Sequence, residues 1–270
     1  MDNKKNTGIC YSHHVTIGTS LLRNASLQKN SQFTQEEIDL PSNCARSNVE
    51  AEKECGRRAG NRRDELLDKL RSYLFNNPFG VSAEINSMEP FLNEKMVDKV
   101  TFYYYSDSGA AQLVYLLLEE FLKEIYNIEV KSSPIEGESN LAIGLPRLMN
   151  SIRENAKNDA KCLTLLNITP GFKAETAYSM VGIVFSAIPA LAYYKFETMK
   201  YTVGIPIFYR VETIKNTISE LEKKVNYELE KLSKDELVLT LAARLNLKLP
   251  LKGKVSQSDL DWAKSLIVSI

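Results

Sequence analysis

Short β-branched or aromatic runs alternate with helical stripes from about residue 13 to residue 208. His13, Val15 and Ile17 alternate with His14 and Thr16, which predicts a strand. Gly18-Thr19-Ser20 stops it, and Leu21-Leu22 opens a turn of helix. Residues up to about Tyr11 are polar and are expected to fray. Residues 28–61 are polar and poor in large apolar side chains, with a helix predicted over 47–58. Leu66, Leu67, Leu70, Tyr73 and Leu74 form one apolar stripe, so a helix should run to Asn76-Asn77-Pro78. A short helix should begin at Ser82, and residues 97–105 read as a strand. Ser106-Asp107-Ser108-Gly109 ends that strand. Leu113, Leu116, Leu117, Phe121 and Ile125 then share one side of a long helix. A short strand at 128–130 and a helix at 145–156 follow. Leu163 to Ile168 is a buried-strand run, Pro170-Gly171 turns the chain, and Ala174, Ala177, Tyr178, Val181 and Val184 recur at helical steps. Strands are predicted at 190–196 and 203–208.

This alternation predicts an α/β fold, a doubly wound and mostly parallel sheet, over residues 1–210. From Glu212 the pattern becomes helical. Ile214, Ile218, Leu221, Val225, Leu229 and Leu232 form one stripe, Ser233 to Glu236 is a capping box, and Pro250 and Gly253 precede a last helix carrying Trp262. Residues 211–270 are therefore expected to form a small C-terminal helical domain, with a winged helix as one option.

Composition narrows the function classes. The chain has 270 residues, 44% apolar and 25% charged, with 34 basic against 34 acidic side chains. Bulk charge gives no argument for nucleic acid or membrane binding. From residue 211 onward ten Lys/Arg stand against nine Asp/Glu, which weighs against duplex DNA as a partner. The basic run Arg57, Arg58, Arg62, Arg63, Lys69 and Arg71 is interleaved with acids and reads as a solvated helix face. Cys10, Cys44, Cys55 and Cys162 show no C-x-x-C spacing and are expected to be reduced thiols in a cytoplasmic protein. No signal peptide and no membrane span are expected. His13 and His14 are the only histidines and should point to opposite faces of a strand, so no metal site and no cofactor are expected. There is no G-x-G-x-x-G and no G-x-x-x-x-G-K-[ST].

Three strand–polar turn–helix junctions remain: Gly18-Thr19-Ser20, Ser106 to Gly109, and Thr169 to Lys173. In an open parallel sheet such turns lie at the carboxyl ends of the strands, where ligands bind. Each also presents helix N–H groups that suit an anion. Lys173 in a first helical turn opposes the helix dipole unless a phosphate lies between them. An N-capping role for Thr19 and Ser20, and an ordinary solvated Lys173, are the alternatives.

Taken together the junctions resemble a family. Gly18-Thr19-Ser20-Leu21-Leu22-Arg23-Asn24 is similar to the G-T-S-L-L-x-N opening of the CRISPR-associated Rossmann-fold (CARF) proteins. Ser82-Ala83-Glu84-Ile85 resembles their S-A-E-L element, and Ser106-Asp107-Ser108-Gly109 their S-D-T-x-x-G turn. Gly144 to Leu148 resembles their G-L-x-x-L helix. Asn167-Ile168-Thr169-Pro170-Gly171-Phe172-Lys173 is similar to N-x-T-G-G-F-K, and residues 193–197 to the Y-x-F-E strand. Pro170 replaces the first glycine of that signature, so one backbone N–H is missing from the turn.

The resemblance implies a Rossmann-like sheet and a homodimer that binds a cyclic oligoadenylate across its two-fold axis. No histidine follows His14, so the R-x-x-x-x-H ribonuclease that many such proteins carry is absent in its standard form. The pattern then resembles the stand-alone ring nucleases, which cleave cyclic tetra-adenylate by attack of a ribose 2′-OH and leave a 2′,3′-cyclic phosphate. By this resemblance Lys173 and Ser20 are the catalytic candidates. Gly18, Thr19, Asn24, Ser106, Asp107, Ser108, Asn167, Thr169, Gly171 and Phe172 are the ligand-binding candidates. No carboxylate or histidine stands out as a base, and no metal is needed. A cyclic oligoadenylate sensor or transcriptional regulator that does not cleave, and an unrelated Rossmann-like nucleotide binder, remain as alternatives.

Overall fold

The computed structural model describes residues 9–27, 33–44, 49–61, 63–137, 140–196 and 201–207. The expected C-terminal helical domain, with its capping box and Trp262, lies outside the described residues. Six strands form one sheet in the order β3-β2-β1-β4-β5-β6. They are β1 (Cys10–Thr16), β2 (Lys99–Tyr105), β3 (Glu129–Ile135), β4 (Cys162–Asn167), β5 (Ala190–Tyr194) and β6 (Val203–Ile207). The first five run parallel and β6 is antiparallel at the edge. The chain winds outward from β1 through β2 to β3, then returns and winds the other way through β4 and β5. The sheet is therefore doubly wound and Rossmann-like, and its winding reverses between β1 and β4.

The two faces are covered unequally. One core joins Val15, Phe102, Leu165 and Tyr193 of the sheet to α1 (Ser20–Ser26), α2 (Gln35–Cys44), α3 (Val49–Ala59), α4 (Glu65–Asn76), α5 (Pro78–Val81), α6 (Ala83–Asn93) and α7 (Gly109–Tyr126). The opposite core joins Tyr103, Tyr105, Leu166 and Ala192 to α8 (Leu141–Asn158) and α9 (Lys173–Ser186). Strand β1 lies centrally and is buried on both faces, so Tyr11 is ordered into the strand rather than frayed. Its registers place Thr16 beside Tyr103 and Val15 beside Asn167. Strand β3 is longer than the sequence predicts and runs to Ile135 with Pro134 inside it. As an edge strand it tolerates a proline, which has no ladder N–H to donate.

His13 and His14 point to opposite faces as expected, and both are fully buried. The His13 ring bonds the Tyr193 hydroxyl at 3.0 Å and the Met96 carbonyl at 2.9 Å. The His14 ring bonds the Tyr103 hydroxyl at 2.7 Å. Burial lowers His13 to about 3 and His14 to about 4, so both stay neutral.

Two expectations need correction. The polar region 28–61 supplies two helices, α2 and α3, rather than one. Ion pairs Lys69–Glu37, Arg58–Asp64 and Arg71–Glu120 tie this layer together, so the basic run is partly paired rather than simply solvated. Nor are the four cysteines free. Cys10 and Cys162 stand opposite each other on β1 and β4 with Cα atoms 4.4 Å apart and form a disulfide. A second disulfide, Cys44–Cys55, joins α2 to α3. A sequence separation of 152 residues conceals the first pair; only the sheet register brings it together. Among the described residues, no helix is long and apolar enough to cross a membrane.

Candidate functional site

A cavity of about 530 Å³ opens at the carboxyl ends of β1 and β4, where the winding reverses. The junction after β1 gives it Gly18, Thr19 and Ser20, and α1 gives Arg23 and Asn24. The junction after β4 gives Thr169, Pro170, Gly171 and Phe172. Ser108, at the start of α7, and Lys195, just after β5, complete the polar wall.

The two junctions touch. A Cβ on Gly18 would lie 3.1 Å from the Gly171 nitrogen, so only glycine allows this approach without a shift. Gly171 has φ +88°, a left-handed conformation that other residues seldom adopt. The turn is fixed on both sides: Thr16 Oγ1 donates to the Pro170 carbonyl at 3.2 Å, and Phe172 N–H donates to Glu175 Oε2 at 2.7 Å. Glu175 is nearly buried, and burial raises its pKa while the Phe172 amide opposes the rise. Pro170 thus removes one N–H from the turn but supplies a carbonyl that clamps it to β1.

Beneath the Gly18–Ser20 junction lies Glu84, wholly buried at the start of α6. Gly18 N–H donates to its Oε1 at 2.8 Å. Ser82 Oγ donates to Oε2 at 2.7 Å, and Ser20 Oγ reaches the same oxygen at 3.3 Å. Ser20 Oγ also accepts from Ala83 N–H at 2.9 Å. Burial raises the Glu84 pKa, against these hydrogen bonds. No carboxylate stands out as a base in the sequence; the structure places Glu84 one hydrogen bond behind the cavity-lining Ser20. Glu84 stands in the quoted Ser82-Ala83-Glu84-Ile85 element, but a glutamate in a first helical turn also reads as a dipole partner. Nothing local shows that it bonds residues 64 and 66 positions earlier.

Of the candidates, Gly18, Thr19, Ser20, Asn24, Ser108, Thr169, Gly171 and Phe172 line the cavity. Asn24 is also a clip, its Nδ2 donating to the Val81 carbonyl at 2.9 Å. Thr169 accepts from Lys195 N–H at 3.0 Å, joining the β4 junction to β5. Asn167 lies under the wall instead. Its amide contacts Ser87 Oγ and the Glu84 carbonyl, and its Oδ1 accepts from Thr169 N–H at 3.1 Å. Ser106 Oγ donates to the Ile135 carbonyl at 3.3 Å, and neither Ser106 nor Asp107 lines the cavity. Lys173 is the first residue of α9, as the sequence predicts, but it is exposed and also outside the lining.

Two cavity residues escape the sequence pattern. Lys195 is nearly buried and bonds Glu89 at 2.8 Å and the Asn86 carbonyl at 3.2 Å. Glu52, from the polar insertion, caps α7: its Oε2 accepts from Ala110 N–H at 2.9 Å and from Ser108 Oγ at 3.4 Å. An alternating strand signal marks Lys195 only as a strand-end residue, and Glu52 reads as one of many acids on a polar helix. Among the described residues, no group of three or more His, Cys, Asp or Glu side chains could hold a metal ion.

No curated protein matches the chain. A family model described as CRISPR-associated protein (Cas_APE2256) matches residues 79–208. The matched segment holds Glu84, the turn after β2 and the whole β4–α9 junction, and the match is consistent with the CARF-type resemblance. Over residues 79–208 the chain is thus similar to a family of CRISPR-associated proteins, Cas_APE2256.

Proposed function

We propose that the protein is a ring nuclease. In this reading it binds cyclic tetra-adenylate and cleaves it by attack of a ribose 2′-OH on the adjacent phosphorus, without a metal. The products carry a 2′,3′-cyclic phosphate, and type III CRISPR signalling is switched off. The observation that supports this most is the convergence of Gly18, Thr19, Ser20, Thr169, Gly171 and Phe172 on one cavity at the winding reversal. Ser20 offers a hydroxyl to the ligand there. The N-terminus of α9, with Lys173 as its first residue, stands next to the cavity and favours a phosphate. Such a reaction asks for positioning of the 2′-OH and stabilisation of the oxyanion, and little more.

A two-fold symmetric ring calls for two copies of the site, hence a homodimer. In support, α9 exposes Tyr178, Val181, Val184 and Phe185 beside the cavity-lining Phe172. Light scattering should give twice the 30.5 kDa chain mass; a monomer that still binds the ring would rule the dimer out. The exposed position of Lys173 favours a second reading, a sensor that binds the ring and does not cut it. One experiment separates the two. The protein is incubated with cyclic tetra-adenylate in excess EDTA, and products are separated by size and tested for 2′,3′-cyclic phosphate ends. Linear products are expected. Tight binding without products supports the sensor, and activity that needs Mg²⁺ or Mn²⁺ overturns the metal-free mechanism.

A further inference from the structure

Glu84 is fully buried, and its hydrogen-bond partners on β1–α1 and α6 are all uncharged. A solitary carboxylate in such a place is costly unless its charge is satisfied or used. Three donors converge on its two oxygens: the Gly18 N–H, the Ser82 hydroxyl and the Ser20 hydroxyl. Donors around a carboxylate favour its ionised form, against the burial that raises its pKa. Ser82 and Ser20 both touch Glu84 and line the cavity; Ser82 is buried as the cap of α6, and Ser20 is the one at the β1 junction.

The hydrogen bonds at Ser20 fix its polarity. A serine hydroxyl has one proton and two acceptor lone pairs. The proton goes to Glu84 Oε2, and one lone pair is taken by Ala83 N–H at 2.9 Å. Only the second lone pair is left for the cavity. Ser20 therefore meets a ligand as a hydrogen-bond acceptor. A phosphate oxygen has no proton to give it, whereas a ribose hydroxyl does.

We infer that Ser20 and Glu84 form a proton relay in which Ser20 accepts the 2′-OH proton of the bound nucleotide and passes its own proton to Glu84. This rests on the ring-nuclease reading and gives that reading its base. In the step the 2′-O–H bond breaks and its proton moves to Ser20 Oγ. The Ser20 O–H bond breaks and that proton moves to Glu84 Oε2. The 2′-oxygen electron pair forms the new bond to phosphorus as the P–O5′ bond breaks. The departing 5′-oxygen takes a proton from water in the open cavity. Glu84 then returns its proton through Ser20 to solvent, so no net proton or electron is consumed. Glu84 acts through Ser20 and does not touch the substrate; burial raises its basicity above that of an exposed carboxylate. The ionisable side chains that line the cavity are Arg23 on α1, Glu52 on α3, Tyr105 at the end of β2, Glu175 on α9 and Lys195 after β5.

The test uses single-turnover cleavage of saturating cyclic tetra-adenylate across pH, beside equilibrium binding, for wild type, Glu84→Gln, Ser20→Ala and the double variant. Gln keeps the size of Glu84 and an acceptor for Gly18 N–H but cannot take a proton. The wild-type rate should rise with pH and level off once Glu84 is ionised. Glu84→Gln should bind the ring as wild type does and cleave roughly 10²–10⁴-fold more slowly. Its residual rate should follow hydroxide, with no plateau. Ser20→Ala should lose the same plateau, and the double variant should be no slower than Ser20→Ala, because a relay fails as a unit. A merely structural role predicts a lower rate with the plateau kept. That result in either single variant, or additive losses in the double, overturns the relay and leaves ring cleavage standing. A wild-type protein that yields no product overturns the ring-nuclease reading and the relay together.

Discussion

Gly171→Ala tests whether the geometry of the β4–α9 turn, rather than its flexibility, builds the cavity. Two costs can be worked from the structure. Alanine at φ +88° carries the left-handed penalty of about 1–2 kcal/mol. The new Cβ would also lie 2.6 Å from Glu175 Oε2 and 3.0 Å from Thr16 Oγ1. The carboxylate is the end of a flexible side chain and can turn away, but it then releases the Phe172 N–H. Losing a contact of this capping kind costs roughly 0.5–2 kcal/mol. The sum is about 1.5–4 kcal/mol, read as a lower urea midpoint by circular dichroism at an unchanged slope. A Glu175→Ala background separates the two costs. With the carboxylate already gone, Gly171→Ala should cost only the left-handed penalty, so the two variants should be less than additive. Ring binding should weaken as well, since Thr169 and Phe172 flank the turn and line the cavity. A loss below about 1 kcal/mol for Gly171→Ala, or strict additivity with Glu175→Ala, refutes the reasoning.

Lys173→Ala should leave stability within about 0.5 kcal/mol, because the side chain is exposed. In single-turnover assays it should lower the rate by roughly 10²–10³ and affinity by less; a wild-type rate at saturation makes Lys173 a binding residue only. The buried histidines predict acid sensitivity. Their folded pKa values, about 3 and about 4, lie below the ordinary 6.5. The unfolded chain therefore takes up protons first as pH falls. Their stabilisation is complete above about pH 6.5 and is lost below it, by up to about 1.4 kcal/mol per pH unit for each imidazole. Glu84 and Glu175, whose values are raised, act in the opposite sense above 4.5. Proton NMR should find both imidazoles of the folded protein neutral between pH 7 and 5; titration of either in that window contradicts the burial argument.

The sequence by itself determined the order of the strands from β1 to β6 and of the longer apolar helices between them, because each carries its own period of apolar residues; it predicted one helix where α2 and α3 stand and none at α5. It placed the start of α9 at Lys173 through Pro170-Gly171, since turn residues act locally. It also marked Gly18, Ser20, Thr169 and Gly171, because glycines and hydroxyls recur at three strand–turn–helix junctions, although each junction alone reads equally well as a helix cap. Long-range pairing was decided only by the tertiary structure. Cys10 faces Cys162 because β1 lies beside β4, and no spacing rule encodes that adjacency. Asn167 reads as a ligand contact in sequence, yet the approach of α6 turns its amide toward Ser87 and Glu84. Glu52 and Lys195 reach the cavity from an insertion and from a strand end, by contacts across 58 and 109 residues. Glu84 is the clearest case. Its place in a first helical turn is local information, but its burial and its hold on Gly18 and Ser20 arise only when α6 packs against the end of β1.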